Sequence, residues 1–272
     1  MNRRRFVLVG LAAVSLALGG CSTGSGSSSA SSGSTGADTS LSDVKSKGEL
    51  VIATEGTYKP FTFHADGSGQ LTGYDVEIAQ AVADKMGVKA TFRETQFDGI
   101  FAGLEANRFD MIANQVSINP QRSAKYDFST PYTVSSGVIV TKADNNSITS
   151  FDSLKGKTTA QSLTSNYYTL AQKSGANVEA VEGWAQAIAL LRQGRVDAVV
   201  NDKLTYLDYI KTNPDAGLKI AAESPDKSEN AFVFRKGSTA LVDAVDKALA
   251  ELQADGTLTK ISQKYFGVDV SK

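Results

Sequence analysis

Asn119-Pro120-Gln121-Arg122 is a residue order that suits the start of a helix, with asparagine as N-cap and proline at the first helical position. Arg122 then falls in the first turn, where free backbone N–H groups also favour an anion. Its guanidinium can hold a carboxylate through two parallel hydrogen bonds, and the nearby Ser117 hydroxyl adds a donor. Asp202 follows an apolar run at 196–201 and can accept from an ammonium group. A carboxylate clamp facing an ammonium acceptor describes an α-amino acid, although surface ion pairing would also account for either residue alone. Tyr58 and Phe97 supply flat apolar walls for a side chain. Glu55, Asn114, Gln115, Thr164, Ser165 and Asn166 complete the candidates, because each lies where a predicted strand ends, for the last three the strand that follows Lys155-Gly156.

Catalytic readings find little support in the same residues. The chain has one Cys and one His, which removes disulfide frameworks, Cys/His zinc sites, Cys-His dyads that need a second His, and iron–sulfur clusters. His64 stands in a loop excursion without an evident partner, and Glu55 is the only tempting general acid. No Walker-type Gly-Lys-Ser/Thr loop is present, so ATP hydrolysis would belong to another chain. No cofactor or metal is expected, and the chain is read as not an enzyme.

The 272 residues carry 28 Lys+Arg against 29 Asp+Glu, a formal charge of −1 that gives no reason to expect nucleic acid as a partner. With 41% hydrophobic residues the composition is that of an ordinary globular protein. The first twenty residues read as a signal peptide: Arg3-Arg4-Arg5, an apolar run at 6–18 too short to span a bilayer comfortably, then Gly19-Gly20 before the only cysteine, Cys21. The run at 18–21 resembles a bacterial lipobox, which implies cleavage before Cys21, lipidation of its thiol and stable anchoring by acyl chains. The arginines also resemble a twin-arginine export signal. Residues 22–40 hold nine Ser and four Gly, no large apolar side chain, and read as a flexible tether.

Beyond the tether, strands alternate with amphipathic helices. Strands are predicted at 49–54, 109–114, 137–141, 196–201 and 231–234, and helices at 99–106, 185–192, 204–211 and 240–254. Val76, Ala79, Val82, Ala83 and Met86 share one helical face. The order predicts α/β layers with largely parallel sheets. An internal correspondence sets the architecture: Leu104-Glu-Ala-Asn-Arg108-Phe-Asp110-Met-Ile-Ala-Asn114 is echoed 87 residues later by Leu191-Arg-Gln-Gly-Arg195-Val-Asp197-Ala-Val-Val-Asn201. Phe97 and Trp184 keep that offset, and the run after Lys47-Gly48 is echoed after Lys155-Gly156. Two similar α/β lobes follow, with an excursion at 61–73 in the first only. Ligands in open α/β sheets sit beyond the carboxyl ends of strands, so two facing lobes would share one cleft.

At these residues the chain resembles the family 3 extracellular solute-binding proteins, the polar amino acid receptors of ATP-binding-cassette importers. The resemblance runs over most of residues 43–272 and rests on Gly56-Thr57-Tyr58-Lys59-Pro60-Phe61, Gly73-Tyr74-Asp75-Val76, Gly194-Arg195-Val196-Asp197, Tyr126-Asp127-Phe128-Ser129-Thr130-Pro131-Tyr132, Asp255-Gly256-Thr257-Leu258 and Lys264-Tyr265-Phe266-Gly267. The run Asn114-Gln115-Val116-Ser117-Ile118, with Asn166-Tyr167, is most similar to the cystine-binding members. The resemblance implies a two-lobe, type II periplasmic-binding-protein-like fold. Residues 41–133 and 229–272 would form lobe one, 134–228 lobe two, and the two crossovers a hinge. It makes Arg122 the α-carboxylate ligand, Asp202 the α-ammonium ligand, and Tyr58 and Phe97 a side-chain sandwich. Ser117, Asn166 and backbone groups near Gln115 and Ser165 would add hydrogen bonds. Thr164 stands where relatives often carry glycine, which puts the approach of that loop in question. Glu55 matches an acidic position at the cleft mouth, where it would bind a second ammonium or remain solvated.

The implied function is a monomeric, extracytoplasmic receptor, lipid-anchored to the bacterial cell membrane, that binds an amino acid and delivers it to the permease and ATPase subunits of an importer. L-cystine is the favoured ligand, while arginine, lysine, histidine and glutamine stay open. Dehydratases and sensor modules share the scaffold, so fold alone does not decide between binding and turnover.

Overall fold

The computed structural model describes residues 37–272. The expected signal peptide, lipidation at Cys21 and nearly all of the tether lie outside the described residues. No helix among the described residues is long and apolar enough to cross a membrane.

The chain runs α1 (Ser40–Lys47), β1 (Glu49–Thr54), β2 (Thr57–Tyr58), β3 (Thr62–His64), β4 (Leu71–Thr72), α2 (Tyr74–Met86), β5 (Lys89–Glu94), α3 (Phe97–Glu105), β6 (Met111–Ser117), α4 (Pro120–Ser123) and β7 (Tyr126–Phe128). It continues through β8 (Thr133–Lys142), β9 (Thr158–Gln161), α5 (Asn166–Lys173), β10 (Asn177–Ala180), α6 (Gly183–Gln193), β11 (Val199–Asp202), α7 (Lys203–Thr212), β12 (Leu218–Arg235), α8 (Thr239–Ala254) and α9 (Thr257–Phe266). One seven-stranded sheet has the order β11-β8-β12-β6-β1-β5, with β7 on β12; β9 pairs with β10, and β2-β3-β4 form a small antiparallel sheet from the predicted excursion.

Period-2 alternation along the strands sends apolar side chains to both faces, as buried α/β sheets require. Leu50 and Ile52 of β1, Met111 of β6, and Phe232 and Phe234 of β12 point into one cluster with α2 and α8; Ala53, Ile112, Val116 and Val233 point into another with α3. Farther along, Val138 and Val140 of β8 face α6, whereas Ile139 faces α5. Two bodies result, each with helices on both faces of its strands, and β8 and β12 run from one into the other, paired antiparallel from Asn230↔Thr133 to Leu218↔Lys142. The α2 face contributes strongly: Ile78, Ala79, Val82 and Ala83 are fully buried, and each large aliphatic side chain so removed from water is worth about 1.5–3 kcal/mol.

The internal repeat is present as backbone geometry. The turn after α3 places Asn107 at φ 56, and the turn after α6 places Gly194 at φ 74, the left-handed region that Gly and Asn enter most readily. Asp110 then accepts from the Val51 N–H at 3.0 Å, while its own N–H donates to the Val51 carbonyl at 2.8 Å. Asp197 makes the same two bonds with Thr158, each at 2.8 Å. In each body this aspartate ties the second strand of the repeat to the first.

Three expectations need correction. The main sheet is mixed rather than largely parallel: β1 pairs parallel with β5 and β6, but β12 pairs antiparallel with β6, β7 and β8, and β11 with β8. The antiparallel pairs come from the two long strands that cross between the bodies, which a βαβ pattern does not announce. β12 extends over 18 residues rather than the four predicted. Its first half is half-exposed and carries Pro225 within a register shift between Glu223 and Lys227, so it lacks an apolar signature. His64, finally, is a strand residue with partners: its ring nitrogens lie 2.7 Å from the Gly69 carbonyl oxygen and 2.9 Å from Glu94 Oε2.

Candidate functional site

Strand ends bring most of the candidates together. Glu55 and Tyr58 follow β1, Phe97 opens α3, and Asn114, Gln115 and Ser117 close β6. From the other body come Thr164, Ser165 and Asn166 at the start of α5, and Asp202 at the end of β11. Glu55, Tyr58, Phe97, Asn114, Gln115, Ser165 and Asn166 line a cavity of about 40 Å³ between the two bodies. Ser117 lies instead on a second space of about 250 Å³ toward the crossing strands, and Asn166 with Tyr167 borders both. Small-molecule pockets generally run to roughly 300 Å³ or more, so a ligand would enter this cavity only if the bodies part.

Arg122 sits where the capping pattern put it. The Asn119 side chain accepts from the Arg122 N–H at 2.9 Å, with Pro120 at the first helical position. The guanidinium is buried: Nη1 donates to the Ser117 carbonyl at 3.0 Å, Nη2 donates across to the Thr164 carbonyl at 3.2 Å, and the Phe101 ring lies 5.3 Å away. No carboxylate among the described residues forms a salt bridge with it. Burial lowers its pKa to about 10, since a charge in a poorly solvated place is disfavoured. A carboxylate arriving there would meet a desolvated and unpaired cation.

Asp202 presents the opposite case. It caps α7 through the Leu204 N–H at 2.8 Å and accepts from the Ser135 hydroxyl at 2.7 Å and the Tyr167 hydroxyl at 3.0 Å. It is 2% exposed, has no cationic partner among the described residues, and burial raises its pKa. The Ser117 hydroxyl is spent elsewhere: it lies 2.8 Å from Ser228 Oγ and 2.8 Å from Asn230 Oδ1 on β12.

Glu55 is held in a reciprocal pair. Its N–H donates to Asn114 Oδ1 at 2.8 Å, and Asn114 Nδ2 donates to Glu55 Oε2 at 2.6 Å. Burial drives its pKa up to about 7, the Asn114 bond opposes this, and the Glu182 and Asp98 charges add to it. Gly183 makes room for it, because a Cβ there would stand 3.2 Å from Glu55 Oε1.

Direct hydrogen bonds bridge the bodies. The Tyr58 hydroxyl donates to Asn201 Oδ1 at 2.8 Å and accepts from the Thr205 hydroxyl at 3.1 Å. Asp98 accepts from the Thr164 N–H at 2.8 Å and its hydroxyl at 2.9 Å, and from the Leu163 N–H at 3.2 Å; Glu182 accepts from the Phe97 N–H at 2.9 Å. Thr164 is not among the residues at positive φ, and its hydroxyl joins this bridge.

Several participants escaped sequence reasoning. Asp75 is fully buried and receives the Gln115 N–H and Nε2, each at 2.6 Å, which holds Gln115 at φ 49. Its signal was Gly73-Tyr74-Asp75, an acid inside an otherwise apolar helix face. Trp184, a residue that sequence reading leaves open to core or cleft, packs in the core against Tyr209 and also lines the cavity, with Gln161, Ser162, Tyr167 and Asn201. No motif marked Gln161, which alternation in β9 alone turns inward.

Residues 50–268 match the model of the bacterial extracellular solute-binding proteins, family 3. The L-cystine-binding protein TcyA of Bacillus subtilis is 54% identical over 231 residues, 85% of this chain and 86% of that protein. Among solved structures, the L-cystine solute receptor of Neisseria gonorrhoeae, in an unliganded open conformation, shares 47% identity over 86% of this chain and 99% of its own, with a TM-score of 0.58. An ancestral arginine-binding protein bound to arginine superposes better, at a TM-score of 0.76, although identity is only 38% over 81% of this chain and 99% of that one. The better fit is thus to a ligand-bound structure and the poorer one to an unliganded, open structure. On the extent of the family match and the likeness to these two-lobe receptors, the chain belongs to the bacterial extracellular solute-binding proteins, family 3.

Proposed function

We propose that the protein is a receptor that closes its two lobes on L-cystine and delivers it to an ATP-binding-cassette importer, tethered to the bacterial cell membrane through a lipid on Cys21. Lobe one would comprise residues 41–133 and 229–272, lobe two residues 134–228, and the crossings in β8 and β12 the hinge. One observation carries the reading: beside the cavity, though not on its walls, stand a buried arginine without a carboxylate, bonded to the Thr164 carbonyl, and a buried aspartate without a cation, bonded to the cavity-lining Tyr167. Leaving either charge unpaired is costly, and an α-amino acid neutralises both. Arg122 would take its carboxylate, Asp202 its ammonium, and Tyr58 and Phe97 would flank its side chain. Similarity to L-cystine-binding relatives supports the choice of ligand. The similar proteins are described as binding proteins rather than enzymes, which supports binding without turnover as the reading we adopt. A second reading, a basic amino acid, is favoured by Glu55, whose carboxyl lines the same cavity.

The test is calorimetry and thermal shift with L-cystine, arginine, lysine, histidine and glutamine. Ligand bound only by the folded state raises the midpoint. Arg122→Gln and Asp202→Asn each remove a charge, and Asn still caps α7. Losing one partner of a buried charge pair costs about 2–5 kcal/mol, so each variant should weaken cystine at least about 30-fold. Tight arginine binding with none of cystine would transfer the specificity; no binding of any amino acid would refute the receptor.

A further inference from the structure

We infer that Gln161 reads the far end of the ligand, its side-chain amide donating to a second carboxylate, so that the cleft selects amino acids carrying a carboxylate at both ends. The inference rests on the receptor reading and extends it to a residue outside the zwitterion clamp.

Gln161 is the last residue of β9 and is 3% exposed. Its backbone is fixed from the neighbouring segment, as its carbonyl accepts from the Val181 N–H at 3.1 Å. Its side-chain oxygen is also committed, accepting from the fully buried Thr159 hydroxyl at 3.0 Å. That bond orients the amide and leaves Nε2 as a donor with no partner. Buried donors are rarely left unmet, and one that lines a ligand cavity has an evident use. The donor is neutral and the acceptor it suits best is an anionic oxygen, since hydrogen bonds to charged groups are the stronger ones.

Its surroundings define the rest of the ligand's distal group. Glu55 lines the same cavity, and its carboxylate comes close to Gly183, two residues beyond the Val181 that Gln161 pairs with. One neutral donor and one acid at that end match a carboxylate and an ammonium on a single carbon, which is the second head of cystine. Arginine and lysine end in donors only, so they would satisfy Glu55 and leave Gln161 Nε2 unmet. Discrimination arises when a buried polar group of the site is left unpaired by the wrong ligand.

The experiment compares three disulfides of L-cysteine by calorimetry: L-cystine, the mixed disulfide with cysteamine, which keeps the distal ammonium and lacks the carboxylate, and the mixed disulfide with 3-mercaptopropionate, which keeps the carboxylate and lacks the ammonium. Gln161→Glu preserves an acceptor for Thr159 and removes the donor; Gln161→Met removes both, and the unliganded melting midpoint of each reports any structural damage. Both variants should lose about tenfold or more for cystine and for the mercaptopropionate disulfide, with the cysteamine disulfide unchanged within about twofold in Gln161→Met and not weakened in Gln161→Glu, whose new carboxylate meets the distal ammonium. Equal losses for all three ligands, or losses confined to the cysteamine disulfide, overturn the role of Gln161 and leave the receptor intact. A wild-type protein that binds none of the three overturns the receptor reading and this inference with it.

Discussion

Glu55 shows how one residue makes affinity depend on what the ligand carries at its far end. Its carboxyl is buried beside Asn114, with Glu182 and Asp98 contributing negative charge, and its pKa is raised to about 7. Parting the lobes returns it to water and toward the ordinary carboxylate range near 4. Closing over a ligand with no distal cation therefore binds more protons than the open state does. Linkage fixes the sign: affinity for such a ligand is full below the open-state pKa and is lost as pH rises through about 7. A distal ammonium instead pairs with the ionised carboxylate and removes the penalty. Titration calorimetry from pH 5 to 8 should show glutamine affinity falling several-fold, cystine affinity nearly flat, and the glutamine slope abolished in Glu55→Gln. Equal slopes for both ligands would remove Glu55 from contact with the distal group.

At the scale of elements, the closed arrangement is latched by two carboxylates that sit at helix starts. Asp98, in the first turn of α3, holds the 163–164 amides of the opposite lobe, and Glu182, just before α6, holds the first N–H of α3. Both hold groups of proposed site residues, Thr164 and Phe97, rather than the ligand itself, so their main effect on affinity is through the closed population, and apparent affinity falls as that population falls. Asp98→Ala and Glu182→Ala should each weaken cystine by about threefold to tenfold, a loss of roughly 1 kcal/mol, within the range for a net hydrogen bond. Both should leave the preference for cystine over arginine unchanged, as measured by competition. A shift in that preference would mean that the latch also shapes the cavity. Here too lies the limit of sequence reading. The α3–β6 and α6–β11 units were legible because helix periodicity, a left-handed Asn or Gly and a following Asp are local signals. Arg122 was legible through its Asn-Pro cap. The latch was not, because Asp98 and Glu182 look like ordinary acids at helix starts, and their partners lie 65 and 85 residues away. Gln161 and Asp75 escaped for a related reason: a buried polar group shows its meaning only when its missing or supplied partners can be counted.

For the molecule as a whole, the question is what sets the balance between open and closed lobes before any ligand arrives. β8 and β12 give the lobes a continuous, paired connection, while Tyr58 with Asn201, Asp98 with Thr164 and Glu182 with Phe97 join them directly. Against these bonds stands the repulsion of Glu55, Glu182 and Asp98, which closure gathers at one edge of the cleft. In the arrangement described, burial raises the Glu55 pKa to about 7 and also raises that of Glu182. The closed form consequently binds more protons, and mild acid favours it. Ligand tilts the same equilibrium by a different route, through contacts that exist only when Arg122 and Asp202 approach one molecule together. Small-angle scattering without ligand should show the radius of gyration increasing from pH 5.5 to pH 8, and Glu55→Gln should remove most of that increase. With saturating cystine the radius should stay at its low-pH value across the range, because the distal ammonium replaces the proton on Glu55. A radius that ignores pH in the wild type, yet contracts on adding cystine, would show that the crossing strands and the ligand set the lobe angle without the acidic edge of the cleft.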